Sequence, residues 1–350
     1  MKTSFISSSA LSEATRLSLS KLQARLADAQ KEVSTGRHVD IGRAIGHSAG
    51  QTVSLRHEHA RLQTIIDTNG LAATRLDATQ AALTSLTDSA RSFLDQLVAS
   101  RNNADMGPQV MQAQARTGLT AYTTTLNTSV NGAYLFAGIN ADVKPIADYD
   151  QTPPAANKQA VANAFMTAFG ISQSDPGVAN ISTAAMQTFL DGPFAGLFDP
   201  AAWSATWSSA SDQNVQSRIA TSELIETSVN ANADPIRRIA SVFTMVADLG
   251  LEDISDGAYH AIVDTASRTL SQAIGDLTVL RANLGTSQER VTRANERMSI
   301  QIDIMTEHIS ALEGVDTYEA STRVADLLTQ VETAYAMTAR IHKLSILNYL

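Results

Sequence analysis

Between Val263 and Leu312 an apolar residue returns every seven positions, at Val263, Leu270, Leu277, Leu284, Val291, Met298, Met305 and Leu312. Ile274, Ile302 and Ile309 add a companion line four places on. A period of seven sets side chains along one seam of an α-helix, so this segment is committed to a helix that packs lengthwise on another. In a chain that is 44% hydrophobic, an unbroken run of this kind in one fixed register arises by chance about 0.1% of the time. Helical from residue 257 to 312, it would be about 80 Å long, far beyond the usual globular helix. Gly285 weakens it locally by about 1 kcal/mol and marks a candidate bend.

A second seam runs through Leu55, Leu62, Asn69, Leu76, Leu83, Ala90 and Leu97, with Ile66, Ala73, Leu86 and Leu94 beside it. Asn69 is its polar member, and a single buried Asn in a seam commonly fixes register. The two seams are expected to pair within the chain. Shorter stripes occupy the ends. Leu19, Leu22, Leu26, Ala29 and Val33 alternate steps of three and four before Gly36, where a helix should stop. Ala320, Val324, Leu327, Val331, Ala334, Thr338 and Ile341 do the same before the closing Leu344, Leu347 and Leu350. Neither end has, within itself, anything to bury its stripe against, so each is expected to be frayed alone and ordered by another subunit. On that reading Leu19, Leu22, Leu26 and Val33, and Val324, Leu327, Val331, Ile341, Leu344, Leu347 and Leu350, are inter-subunit packing residues.

The middle of the chain differs in composition. Pro145, Pro153, Pro154, Pro176, Pro193 and Pro200 are six of the eight prolines. Tyr149, Phe165, Phe169, Phe189, Phe194, Phe198, Trp203 and Trp207 supply aromatics enough for a small separate core. Short helices are expected at 155–169 and 181–190, and the β-branched alternation over 215–230 predicts an extended pair. The fold class is thus mainly α, a long antiparallel coiled-coil-like rod built from N- and C-terminal segments with a small inserted α+β domain. Its expected parts are a terminal polymerisation helix (1–45), half of the rod (46–139), the inserted domain (140–215), a hairpin return with a connecting helix (216–256), the other rod half (257–313) and a second terminal helix (314–350).

Composition narrows the function. The chain has no cysteine, which removes thiol catalysis, thiolate metal sites and disulfides. A net charge of −9 with both signs dispersed argues against nucleic acid and anionic lipid as partners. Met1 to Ser9 are polar where a secretory signal would be apolar, so no cleaved signal is expected, nor is any membrane span.

Candidate chemistry is sparse. His57 and His59 are two apart and point to different sides of a helix, unlike an i, i+4 metal pair. The cluster Glu252, Asp253, Asp256 lacks the alternating ligands and closing Glu of a calcium loop, and Ser255 or Asp256 reads better as a helix cap. Gly132 and Gly138 lack the spacing of a phosphate cradle, and Arg237-Arg238 reads as a solvated or interfacial edge. No catalytic residue, cofactor or metal is expected.

Four stretches resemble the flagellin superfamily. Ser34-Thr35-Gly36-Arg37-His38-Val39 is similar to its S-x-G-x-x-V/I segment, and 281–290, Arg281 to Arg290, to the R-x-x-L-G-x-x-Q-x-R of its C-terminal helix. Asn131-Gly132-Ala133-Tyr134-Leu135-Phe136-Ala137-Gly138 is the most specific and resembles the N-G-x-Y-L-F-x-G of the hook-filament junction branch, the hook-associated protein 3 family. The ending Leu344 to Leu350 is similar to that branch's S-L-L-D-Y-L. Asp40 to Gly46 departs from the family's Asp-Asp-Pro or Asp-Asp-Ala element. The resemblance implies an extracellular structural subunit of the bacterial flagellum, secreted by type III export and held by an export chaperone. It further implies partners in the first hook-associated protein, flagellin and copies of itself in a ring. Flagellin itself is the alternative, and a coiled-coil adhesion or signalling protein a more distant one.

Overall fold

The structure, a computed structural model, describes residues 8–102 and 107–346, with side chains over 13–101 and 107–340. In chain order the elements are α1 (Ser8–Thr35), α2 (Ile41–Ile45), α3 (Ala49–Asn102), α4 (Pro108–Leu126), β1 (Ser129–Val130), β2 (Ala133–Tyr134), α5 (Ala156–Phe169), α6 (Thr183–Phe189), α7 (Pro200–Thr206), β3 (Gln216–Ala220), β4 (Glu223–Glu226), α8 (Asp234–Asp248), α9 (Asp256–Glu313) and α10 (Thr317–Ile346). With 74% helix and, among the described residues, two small two-stranded sheets, the chain is mainly α.

The long helices begin and end for local reasons. Gly36 adopts φ +67 beyond Thr35 and its N–H closes on the Glu32 carbonyl at 2.8 Å, a left-handed stop that favours glycine. Pro108 stands at the first position of α4, where its missing N–H costs nothing. The Ser255 hydroxyl accepts from Ala258 N–H at 3.3 Å and donates to the Ile181 carbonyl at 2.9 Å, so it caps α9 and ties its start to the middle of the chain.

Two compact units result: a terminal one, Met1–Gln63 with Met298–Leu350, and a central one, Thr64–Arg297. In the central unit α3 and α9 run antiparallel in one register. Asn69 Nδ2 donates to Asn295 Oδ1 at 2.7 Å, Gln288 Nε2 to Asp77 Oδ1 at 2.6 Å, and Arg101 reaches Asp264 at 2.6 Å. Leu76, Leu83, Leu97, Leu270, Leu277, Leu284 and Val291 are all buried along this pair. Asn69, only 1% exposed, also donates to the Ile219 carbonyl of β3 at 2.9 Å, so it sets helix register and hairpin position together.

α4 packs on α8. A Cβ on Gly118 would come within 2.3 Å of the Phe243 ring, so glycine is what lets the helices close, and buried Tyr122 donates to the Ile236 carbonyl at 3.1 Å. The β1–β2 turn uses Asn131 at φ 53 and Gly132 at φ 80, the paired left-handed residues of a tight hairpin.

One expectation differs from what is seen. The segment 46–139 is not one rod half, because Pro108 starts a new helix and a hairpin follows it. The aromatic middle is a small inserted module with a ring cluster of its own, and it is bonded into the central unit. Its rings contact one another in sequence, from Phe165 through Phe189, Phe194, Phe198 and Trp207 to Tyr149. Tyr149 donates to Asp248 at 2.7 Å, Trp203 to Asn232 at 3.0 Å and Arg237 to the Phe198 carbonyl at 2.5 Å, all joining the same unit as α8.

Candidate functional site

The terminal unit brings the two ends of the chain together. α1 packs antiparallel on α10: Gln23 Nε2 donates to the Tyr335 hydroxyl at 2.6 Å, and Arg323 Nη1 to Glu32 Oε2 at 3.1 Å. Ala29, Leu327 and Val331 are buried, while Leu19, Leu22, Leu26, Val33 and Val324 are half-buried. The stripes expected to await another subunit therefore have a partner in this same chain. The reason is length: each stripe is a strip of leucine and valine on a long helix, and the two strips are complementary to each other. Side chains of Ile341 and Leu344, and all of Leu347 and Leu350, lie outside the described residues.

At the base of this pair the backbone makes a small joint. His38 N–H donates to the Glu313 carbonyl at 2.9 Å and Val315 N–H to the Gly36 carbonyl at 3.0 Å, so the S-T-G-R-H-V segment pairs with the break between α9 and α10. Glu32 completes it, lying 3.4 Å from both His38 Nδ1 and Val39 N–H. In the middle sits Glu313, whose side chain is 0% exposed. Arg56 forks onto it, Nε donating to Oε1 at 2.8 Å and Nη2 to Oε2, with Arg37 Nη1 at 3.8 Å. The Arg56 hydrogen bonds hold the Glu313 carboxyl below the usual carboxylate range despite burial, and the same contact raises the Arg56 guanidinium.

Sequence reasoning missed this joint. The available signal was a carboxylate between Leu312 and Gly314, where the heptad pattern stops. The seam residues Leu62 and Met298 are buried here and Leu55, Met305 and Leu312 half-buried. Among the described residues the exposed large apolar side chains of the unit are others: Leu17, Val53, Ile300, Ile304, Tyr318, Leu328, Tyr335 and, at 62%, Met337. Single apolar residues on a surface are ordinary, but Ile300 with Ile304, and Leu328 with Tyr335, repeat at helical spacing.

Two family models account for both ends of the chain, the bacterial flagellin N-terminal helical region over residues 6–141 and the bacterial flagellin C-terminal helical region over 268–350. The chain belongs to the flagellin superfamily. The joint at 36–39 and 313–315 thus brings together one segment from each of the two matched regions. No curated protein matches the chain in sequence. Among solved structures, a protein of Vibrio parahaemolyticus described as a flagellar hook-associated protein aligns with a TM-score of 0.52 at 11% identity, covering 76% of this chain and 97% of its own. At that identity the likeness is one of fold. This flagellin-superfamily chain is a structural component of the flagellum. Among the described residues no cluster of three metal-ligating side chains occurs, and no helix is long and apolar enough to cross a membrane.

Proposed function

We propose that this chain is the subunit that joins the flagellar hook to its filament, resting on the first hook-associated protein, carrying flagellin above and forming a ring with its own copies. The observation that carries this reading is the segment 131–138. Leu135, Phe136 and Ala137 are buried, and two separate parts of the central unit, the loop at 211–213 and Ala231, bond to this segment and to Ile139 just after it. Ala231 N–H donates to the Phe136 carbonyl at 2.8 Å, Ser211 N–H to that of Ala137 at 3.0 Å, and Ile139 N–H to that of Gln213 at 3.1 Å. Gly138, at φ +63, sits where a Cβ would lie 2.5 Å from the Gln213 carbonyl. The residues that resemble the junction branch therefore organise the fold and are not a surface coincidence. The chain reaches this place by type III export with an escort chaperone, and its work is mechanical adaptation rather than catalysis.

Deleting the gene tests this directly. The expected phenotype is complete hooks with flagellin shed into the medium, restored by the intact chain. Cells that keep a normal hook-filament boundary and lose only filament length would instead identify a flagellin, the reading that the two flagellin family regions equally support.

A further inference from the structure

A pocket of about 230 Å³ in the terminal unit is lined by Arg37, Arg56, His59, Thr306 and Ile309. Its charge is unbalanced. Glu313 is the carboxylate at this place, and it faces two guanidiniums. Arg56 spends Nε and Nη2 on that carboxylate, which leaves Nη1, while Arg37 approaches it no closer than 3.8 Å. The His59 ring, which is partly exposed, makes no hydrogen bond among the described residues. Arginine forks left open around a partly enclosed space suit a planar, bidentate acceptor.

The complement lies on the same unit. Asp28 on α1, Asp303 and Glu307 on α9, and Asp326 and Glu332 on α10 are exposed, and none engages a cation among the described residues. The chain as a whole carries −9, so a cationic pocket is the exception on it and a carboxylate on a neighbouring copy the abundant counterpart.

We propose that this pocket receives an aspartate or glutamate from the terminal unit of a second copy of the chain. The inference rests on the reading of the protein as an assembling subunit and names one contact through which copies meet. Such a contact joins two different patches, pocket to acidic face, and head-to-tail contacts of this kind generate rings or helices rather than closed pairs. The carboxylate completes the charge balance begun by Glu313 and engages the free donors of Arg37 and Arg56.

The test uses the full chain at concentrations where it sediments as an assembly, from equal parts of heavy- and light-isotope protein. In Arg37→Lys, a zero-length carbodiimide should join the introduced lysine to an aspartate or glutamate of the other isotope. Cross-links confined to one isotope, or none in sedimenting material, overturn the proposal, as does failure to sediment at any concentration. Arg37→Gln should lower the assembled fraction about tenfold at fixed concentration, the scale of one charged contact of about 1.4 kcal/mol, and His59→Gln should lower it as well. His59→Gln should leave the melting temperature of the dilute chain unchanged. If inorganic phosphate raises that melting temperature, Arg37→Gln abolishes the rise and cross-links stay within one isotope, the pocket binds a free anion and the proposal is wrong. Interchain cross-links in a protein whose gene deletion leaves the hook-filament boundary intact would keep this contact and sink the junction reading instead.

Discussion

At the residue scale, Glu313 shows how a charge that would be costly alone becomes a fastener. A carboxylate with no exposed surface is tolerated because two guanidiniums neutralise it, and those guanidiniums stay about half exposed, which moderates their worth. Glu313→Gln should therefore destabilise the terminal unit by about 2 kcal/mol, below the cost of breaking a fully buried pair. Urea unfolding followed by a probe on α1 or α10 would measure it. Because the folded carboxyl titrates lower than the unfolded one, its contribution is complete above the ordinary glutamate value of about 4.3 and is lost as pH falls through the lower folded value. The wild-type chain should thus lose stability in this unit below about pH 4.3, with a steeper slope than Glu313→Gln. Gly118 makes the opposite point. Alanine usually improves a helix by about 1 kcal/mol, but here its methyl would lie 2.3 Å from the Phe243 ring, and overpacking costs about 1–3 kcal/mol. Gly118→Ala should lower the thermal midpoint, and a rise would show that α4 and α8 have room to part.

At the scale of elements, the antiparallel pairing of α3 and α9 accounts for the central unit. Leu277 is fully buried on the seam, whereas Val279, two residues on, is 61% exposed. Leu277→Ala should cost about 3 kcal/mol and Val279→Ala within about 0.5 kcal/mol, measured by chemical denaturation. Equal costs would mean that the register is wrong. This seam was legible in the sequence because a seven-residue repeat is a property of one helix face and needs no knowledge of the partner. α8 was legible only as a connecting helix. Ile236, Ile239, Ala240, Phe243 and Val246 form a readable apolar stripe, but the stripe does not say that Ser241, Val242 and Thr244 on the other side are buried too, which depends on what packs around the helix. The π-helical turn at Leu190–Phe194, with Pro193 inside it, had no sequence signal at all.

At the scale of the molecule, stability should be uneven. Over their described side chains, 13–35 and 317–340, α1 and α10 bury few residues fully, whereas α9 from Leu270 to Val291 keeps every seam position covered. Hydrogen exchange on the isolated chain should therefore show residues 13–35 and 317–340 opening before 270–291. Equal protection would mean that the ends are as settled as the centre and need no assembly partner to order them. The sequence by itself determined that the protein is mainly helical, where its long helices lie, and that its family is the flagellins, because periodicity and short motifs are local. It could not determine what each stripe touches. A stripe of leucines is the same whether it meets another chain or the far end of its own, and only the tertiary structure decided that α1 finds α10. The same limit hid Glu313 and the cationic pocket, since Arg37, Arg56 and Glu313 become neighbours only when the break after α9 folds back onto Gly36.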